Sequence, residues 1–128
     1  MKQEMSISKA NDLDKIIHFI HDCWFDLSEI RFDSKKGRLT IPYKKEICAD
    51  RPSGWRKFFR RVATRIETWN LVVDHVIRYN VVDTEKIGSY DFDRIFYDPK
   101  TRTVKITTGI PLGFTVVVTD FSMCVEKS

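Results

Sequence analysis

Phe25-Asp26-Leu27-Ser28-Glu29-Ile30-Arg31-Phe32-Asp33-Ser34-Lys35-Lys36-Gly37-Arg38-Leu39-Thr40-Ile41 is the stretch that decides the fold. Ile30 and Phe32 flank Arg31, and Leu39, Ile41 and Tyr43 alternate with Arg38, Thr40 and Pro42. A side-chain period of two belongs to an extended strand with one face against a core. Asp33-Ser34-Lys35-Lys36-Gly37 supplies turn chemistry between the two runs, so a hairpin is predicted over about 25–43. Pro42 has no N–H to give a ladder and belongs at a strand edge or end.

The same grammar returns 65 residues downstream, where Phe25 is matched by Tyr90. Phe25-Asp26-Leu27-Ser28-Glu29-Ile30-Arg31-Phe32-Asp33-Ser34-Lys35 aligns without a gap to Tyr90-Asp91-Phe92-Asp93-Arg94-Ile95-Phe96-Tyr97-Asp98-Pro99-Lys100, and Leu39 and Ile41 then fall on Val104 and Ile106. This predicts a second hairpin over about 90–107 and a domain built from two pseudo-symmetric hairpin units. Two copies do not make a solenoid, which needs at least three.

Outside the hairpins the period changes. Leu13, Ile16, Ile17, Ile20, Cys23 and Trp24 follow one face of a helix. Asn11 or Asp12 is placed to cap it, and Asp12 and Asp14 suit the positive end of its dipole, which predicts a helix over about 12–23. Leu71–Val81 reads as one long strand with His75 on its apolar face. Near the C-terminus Phe114, Val116 and Val118 are even-numbered whereas Phe121, Met123 and Val125 are odd. A period of two cannot absorb that switch, so a bulge or bend is predicted at Thr119-Asp120. Trp55–Thr68 fits either period, and its β-branched residues favour strand; residues 46–54 read as the loop before it.

At 128 residues the chain is read as a single domain, 1–128, able to bury about 65–70% of its unfolded surface. Hydrophobic residues make up 42% and charged residues 31%, enough for a core and too apolar for disorder. Apolar runs are short, so no membrane span is expected, and the polar start lacks the apolar stretch of a secretory signal. Cys23, Cys48 and Cys124 form an odd set without close pairing, as expected of thiols in a reducing cytoplasm. The net charge of +4 is uneven: residues 1–64 hold 14 Lys and Arg against 9 Asp and Glu, and residues 65–128 hold 8 against 9.

Two clusters are the candidate sites. His18-x-x-His21-Asp22-Cys23 places two imidazoles about one helical turn apart, the spacing that lets both reach one metal ion; Cys23, the other candidate in the cluster, points elsewhere, so Cys48 or Cys124 would have to complete the site through the fold. No second ligand pair follows at zinc spacing, and the alternative is a polar helix end where positive charge is favourable. His21-Asp22 also resembles the dyad of the HD-type metal phosphohydrolases, but that family is all-helical and the chain downstream reads as strands. The second cluster, Trp55, Arg56, Lys57, Arg60, Arg61 and Arg65, mixes cations with rings, as single-stranded nucleic acid requires. The acids Asp83, Glu85, Asp91, Asp93 and Asp98 lack the spacing of a calcium loop. No phosphate-binding glycine loop and no convergent catalytic group is legible, so no cofactor is expected and the chain leans away from being an enzyme.

The expected fold is α+β, an N-terminal helix packed on a mainly antiparallel sheet of about six to eight strands. The biochemical function is not written in the sequence. The leading expectation is a non-enzymatic interaction module whose partner is another protein or a second copy of the chain, with Trp24, Trp55 and Trp69 as large anchors. The alternatives are a polyanion binder using the segment 55–65, with nucleic acid as partner, and a small metalloprotein or enzyme using His18 and His21.

Overall fold

The computed structural model describes residues 2–48 and 63–128. Strand accounts for 58% of the chain, with one short helix near the N-terminus. In chain order the elements are β1 (Lys2–Ile7), α1 (Leu13–Ile20), β2 (Trp24–Asp26), β3 (Arg31–Asp33), β4 (Arg38–Cys48), β5 (Ala63–Val73), β6 (Val76–Val82), β7 (Ser89–Asp98), β8 (Thr103–Thr108), β9 (Gly113–Val118) and β10 (Met123–Lys127). Every pairing is antiparallel, in the order β1-β10-β5-β4-β2-β7-β8-β9-β6, with β3 beside β4.

The two hairpins read from the sequence are both present. In the first, Arg31 faces Thr40, Phe32 faces Leu39 and Asp33 faces Arg38. In the second, Phe96 faces Lys105, Tyr97 faces Val104 and Asp98 faces Thr103. Each turn is closed by its aspartate: Asp33 accepts from the Lys35 and Lys36 N–H groups, and Asp98 accepts from the Lys100 N–H. Each turn also ends on a left-handed residue, Gly37 at φ 64° and Arg102 at φ 53°.

The sheet folds back on itself. Strands in a ladder are about 4.8 Å apart, so β2 and β9, separated by β7 and β8, would stand roughly 14 Å apart if the sheet were flat. Instead the rings of Phe25 on β2 and Phe114 on β9 are 6.2 Å apart. Phe32 on β3 likewise meets Tyr79 on β6 at 5.5 Å, and Tyr97 meets Phe121 at 4.7 Å. One hydrophobic cluster therefore draws from both ends of the strand order, including Leu39, Ile41, Leu71, Ile106, Val116 and Val125. Leu13, Ile16 and Ile20 of α1 press into the same cluster.

Several expectations are corrected. The sheet has ten strands rather than six to eight. The polar segment Lys2–Ile7 is a strand held by pairing with β10, the Leu27–Glu29 helical turn divides β2 from β3, and Leu71–Val81 is not continuous. His75 takes φ 59°, and the chain leaves β5 after Val73 to become β6 at the far end of the order. His75 is exposed at that break and does not lie on an apolar face. The bend expected at Thr119-Asp120, by contrast, is present and carries the chain from β9 to β10. The helix runs from Leu13 to Ile20 behind a short 3-10 turn, Ala10–Asp12, and not from 12 to 23. Asp22 adopts φ 65° and reverses the chain, so Cys23 is buried by the turn and Trp24 begins β2.

Candidate functional site

The ligand candidates on α1 and its exit point in different directions. His18 and His21 are exposed, and His21 Nδ1 lies 3.3 Å from Asp22 Oδ2. Cys23 is buried, its Sγ 4.0 Å from the Phe19 carbonyl, and burial pushes its thiol up to about 11 despite the opposing influence of Lys45. Among the described residues no three His, Cys, Asp or Glu side chains gather closely enough to hold a metal ion. Of the cationic cluster, Trp55, Arg56, Lys57, Arg60 and Arg61 lie outside the described residues. Arg65 is exposed on β5 and donates to Glu67 Oε2 through Nε at 3.1 Å and its terminal nitrogen at 2.9 Å.

Arg65 thereby joins a network on β4, β5 and β10 that sequence spacing does not reveal. Glu67 also accepts from Trp69 Nε1 at 3.2 Å and from Lys127 Nζ at 3.2 Å. These donors, Arg65 first, hold its carboxyl down to about 2. Lys45 Nζ stands 4.3 Å from the Phe19 ring centre, and Phe19 meets Trp69 edge-on at 5.0 Å. Charge-assisted bonds and cation–π contacts of this kind fix side chains in place. Trp69 is buried and Trp24 half-buried.

The strand order ends on β1 at one side and on β6 at the other. Among the described residues the sheet order makes β6 terminal, paired in a ladder with β9 alone. The direction of its free groups follows from the ladder. Val118 N–H donates to the Arg102 carbonyl at 2.9 Å, and Val117 stands opposite Thr103. In an antiparallel ladder these bonds alternate, so Val116 and Phe114 direct their main-chain groups to β8. Tyr79 and Val81, opposite Val116 and Phe114, therefore turn their N–H and C=O groups away from β9. Along this edge Ile77 is 52% exposed, Tyr79 36% and Val82 51%. Charge is polarised along the strand: Arg78, Lys35, Lys36 and Arg38 surround its start, where Val76 N–H donates to the Gly37 carbonyl at 2.8 Å. Asp83 and Glu85 follow its end.

Two clefts open on other elements of the sheet. A cleft of about 580 Å³ is bordered by Thr84, Glu85, Lys105, Thr107 and Leu112. A smaller one of about 310 Å³ lies between Arg31, Phe32, Lys36 and Arg38, with the Arg38 Nε fixed 3.0 Å from Asp74 Oδ1. Deeper in, Tyr43 is 1% exposed and its hydroxyl has no hydrogen-bond partner among the described residues; burial first and Cys23 second push the phenol upward. No helix among the described residues is long and apolar enough to cross a membrane. Compared with protein-family models, with curated proteins and with solved structures, the chain matches none.

Proposed function

We propose that this chain is a non-enzymatic protein-interaction module that receives an extended segment of a partner along β6. The observation that carries the reading is this edge, which pairs with no further strand among the described residues: outward main-chain groups at Tyr79 and Val81 beside exposed Ile77 and Val82. Addition of a strand to an exposed edge gains affinity from main-chain hydrogen bonds and selectivity from alternate side chains. An edge left apolar also invites unwanted association, which folds usually suppress with lysine or proline; β6 contains neither. The thiols of Cys23 and Cys124, both raised to about 11 chiefly by burial, are poor nucleophiles at neutral pH, in keeping with a binding role. A photoreactive side chain at Asn80 tests the reading. Adducts with a partner protein should form from position 80 but not from exposed Asp93 on β7, and should vanish in Val81→Pro. Adducts that survive Val81→Pro, or arise equally from position 93, would reject it.

The interaction body is, in this proposal, a duplicated unit. Hairpin registers, aspartate-closed turns and left-handed turn ends all recur at a 65-residue offset, as Asp33 recurs at Asp98. Phe25 and Tyr90, equivalent by that offset, face each other where β2 pairs β7. Outward from this junction lie β4, β5 and β10 on one side and β8, β9 and β6 on the other. Each half thus donates its last strand to the other. Asp33→Ala, which removes the acceptor of two N–H groups, and Asp98→Ala, which removes the acceptor of one, should each destabilise by about 0.5–2 kcal/mol, the first no less than the second; no loss at either would oppose equivalence. Free, buried Cys23 and Cys124 support placement in the cytoplasm, and recovery of both thiols reduced from cells under denaturing alkylation is the check.

A further inference from the structure

We infer that the partner seated on β6 is a second copy of this chain, paired antiparallel through β6 itself; the inference rests on reading β6 as the interaction edge. Two copies related by a two-fold axis present the same surface to each other, and an antiparallel pair of identical strands has that symmetry. The outward main-chain groups belong to Tyr79 and Val81. Placing the axis at Asn80 sets Tyr79 of one copy opposite Val81 of the other, in a closely hydrogen-bonded pair on each side of the axis. The pleat then puts Asn80 against its own counterpart, amide to amide, and Arg78 against the apolar Val82, so no like charges stand directly opposite.

The charge pattern selects the second copy over other extended segments. Cations gather at the start of β6: Arg78 on the strand, and Lys35 and Lys36 in the turn whose Gly37 carbonyl accepts from Val76 N–H. At its end the acids Asp83 and Glu85 outnumber the one cation, Lys86. Among the described residues Lys35, Lys36, Arg78 and Glu85 have no ion-pair partner within the chain. Antiparallel pairing carries the acidic end of each copy towards the cationic start of the other, and the two-fold axis makes the match twice. A parallel pairing would bring like charge to like.

Sedimentation velocity over a wide concentration range, on the full chain, is the test. The wild type should pass reversibly from monomer to dimer. Val81→Pro removes only an outward N–H, a position where an edge strand tolerates proline, and should raise the dimer dissociation constant at least about tenfold, one hydrogen bond on each side of the axis being lost. Lys36→Glu and Glu85→Lys, both at exposed positions, should each weaken the dimer by a few-fold, and the double variant should recover most of the loss. A wild type that stays monomeric throughout overturns the second copy as partner; adducts from position 80 with another protein would then leave the edge reading standing. A dimer indifferent to Val81→Pro, or charge reversals whose losses add instead of cancelling, also overturns it.

Discussion

Tyr43 takes its ring into the core and its hydroxyl with it. The side chain is 1% exposed, packs edge-on against Phe92 at 5.6 Å between ring centres, and its oxygen has no hydrogen-bond partner among the described residues. A buried hydroxyl without a hydrogen bond costs about 1–3 kcal/mol relative to one left in water. Tyr43→Phe keeps the ring, its volume and its contact with Phe92 while deleting only that oxygen. The variant should therefore be more stable than the parent by about 1–2 kcal/mol, a rise in Tm of about 3–5 °C per kcal/mol for a chain of this length. Urea unfolding at neutral pH is the assay, with the midpoint moving up at unchanged slope. Tyr43→Ala should lose about 3–5 kcal/mol, which separates the value of the ring from the cost of the oxygen. If Tyr43→Phe instead lowers stability by more than about 0.5 kcal/mol, the hydroxyl is satisfied and the reasoning fails.

The left-handed turn ends give a paired test. A Cβ on Gly37 would lie 3.2 Å from the Val76 carbonyl oxygen at φ 64°, so Gly37→Ala should cost about 1–2 kcal/mol. Arg102→Gly, at φ 53°, should cost little or gain up to about 1 kcal/mol, and unfolding of the two variants side by side decides it. Glu67 gives a pH test: its folded carboxyl is held near 2 against an ordinary 4.5, so its contribution is present above about 4.5 and disappears as pH falls towards 2. Glu67→Gln should thus be less stable than the parent at neutral pH, with the gap closing across that window; a gap independent of pH would contradict the network.

Both hairpins were legible because alternation, turn residues and register are local. Ile30, Phe32, Leu39 and Ile41 carry the pattern within a few residues of one another, and the partner strand is the next one along. The strand order was not legible, because it depends on where the chain goes after a break. Leu71–Val81 alternates without interruption in sequence, yet Asp74-His75 divides it between the third and last places in the order. Only the φ of His75 marks the division, and histidine is no signature of a left-handed residue in the way glycine is. Lys2–Ile7 is a strand through its pairing with β10, which no local property of a polar hexapeptide announces. The Glu67 network was hidden for the same reason: Lys127 reaches it from 60 residues away. His18 and His21 show the converse, since helical spacing suggested one shared metal ion, yet among the described residues no third ligand gathers beside them.

The open edge of β6 is the claim on which the proposed role stands, and hydrogen exchange in dilute protein, resolved at single amides, addresses it most directly. Asn80, whose N–H is directed to β9, should exchange slowly, while Tyr79 and Val81 on either side exchange rapidly and gain protection only as concentration rises. Slow exchange of all three amides in dilute monomer would mean that the edge is already occupied within the chain, and the account would be wrong.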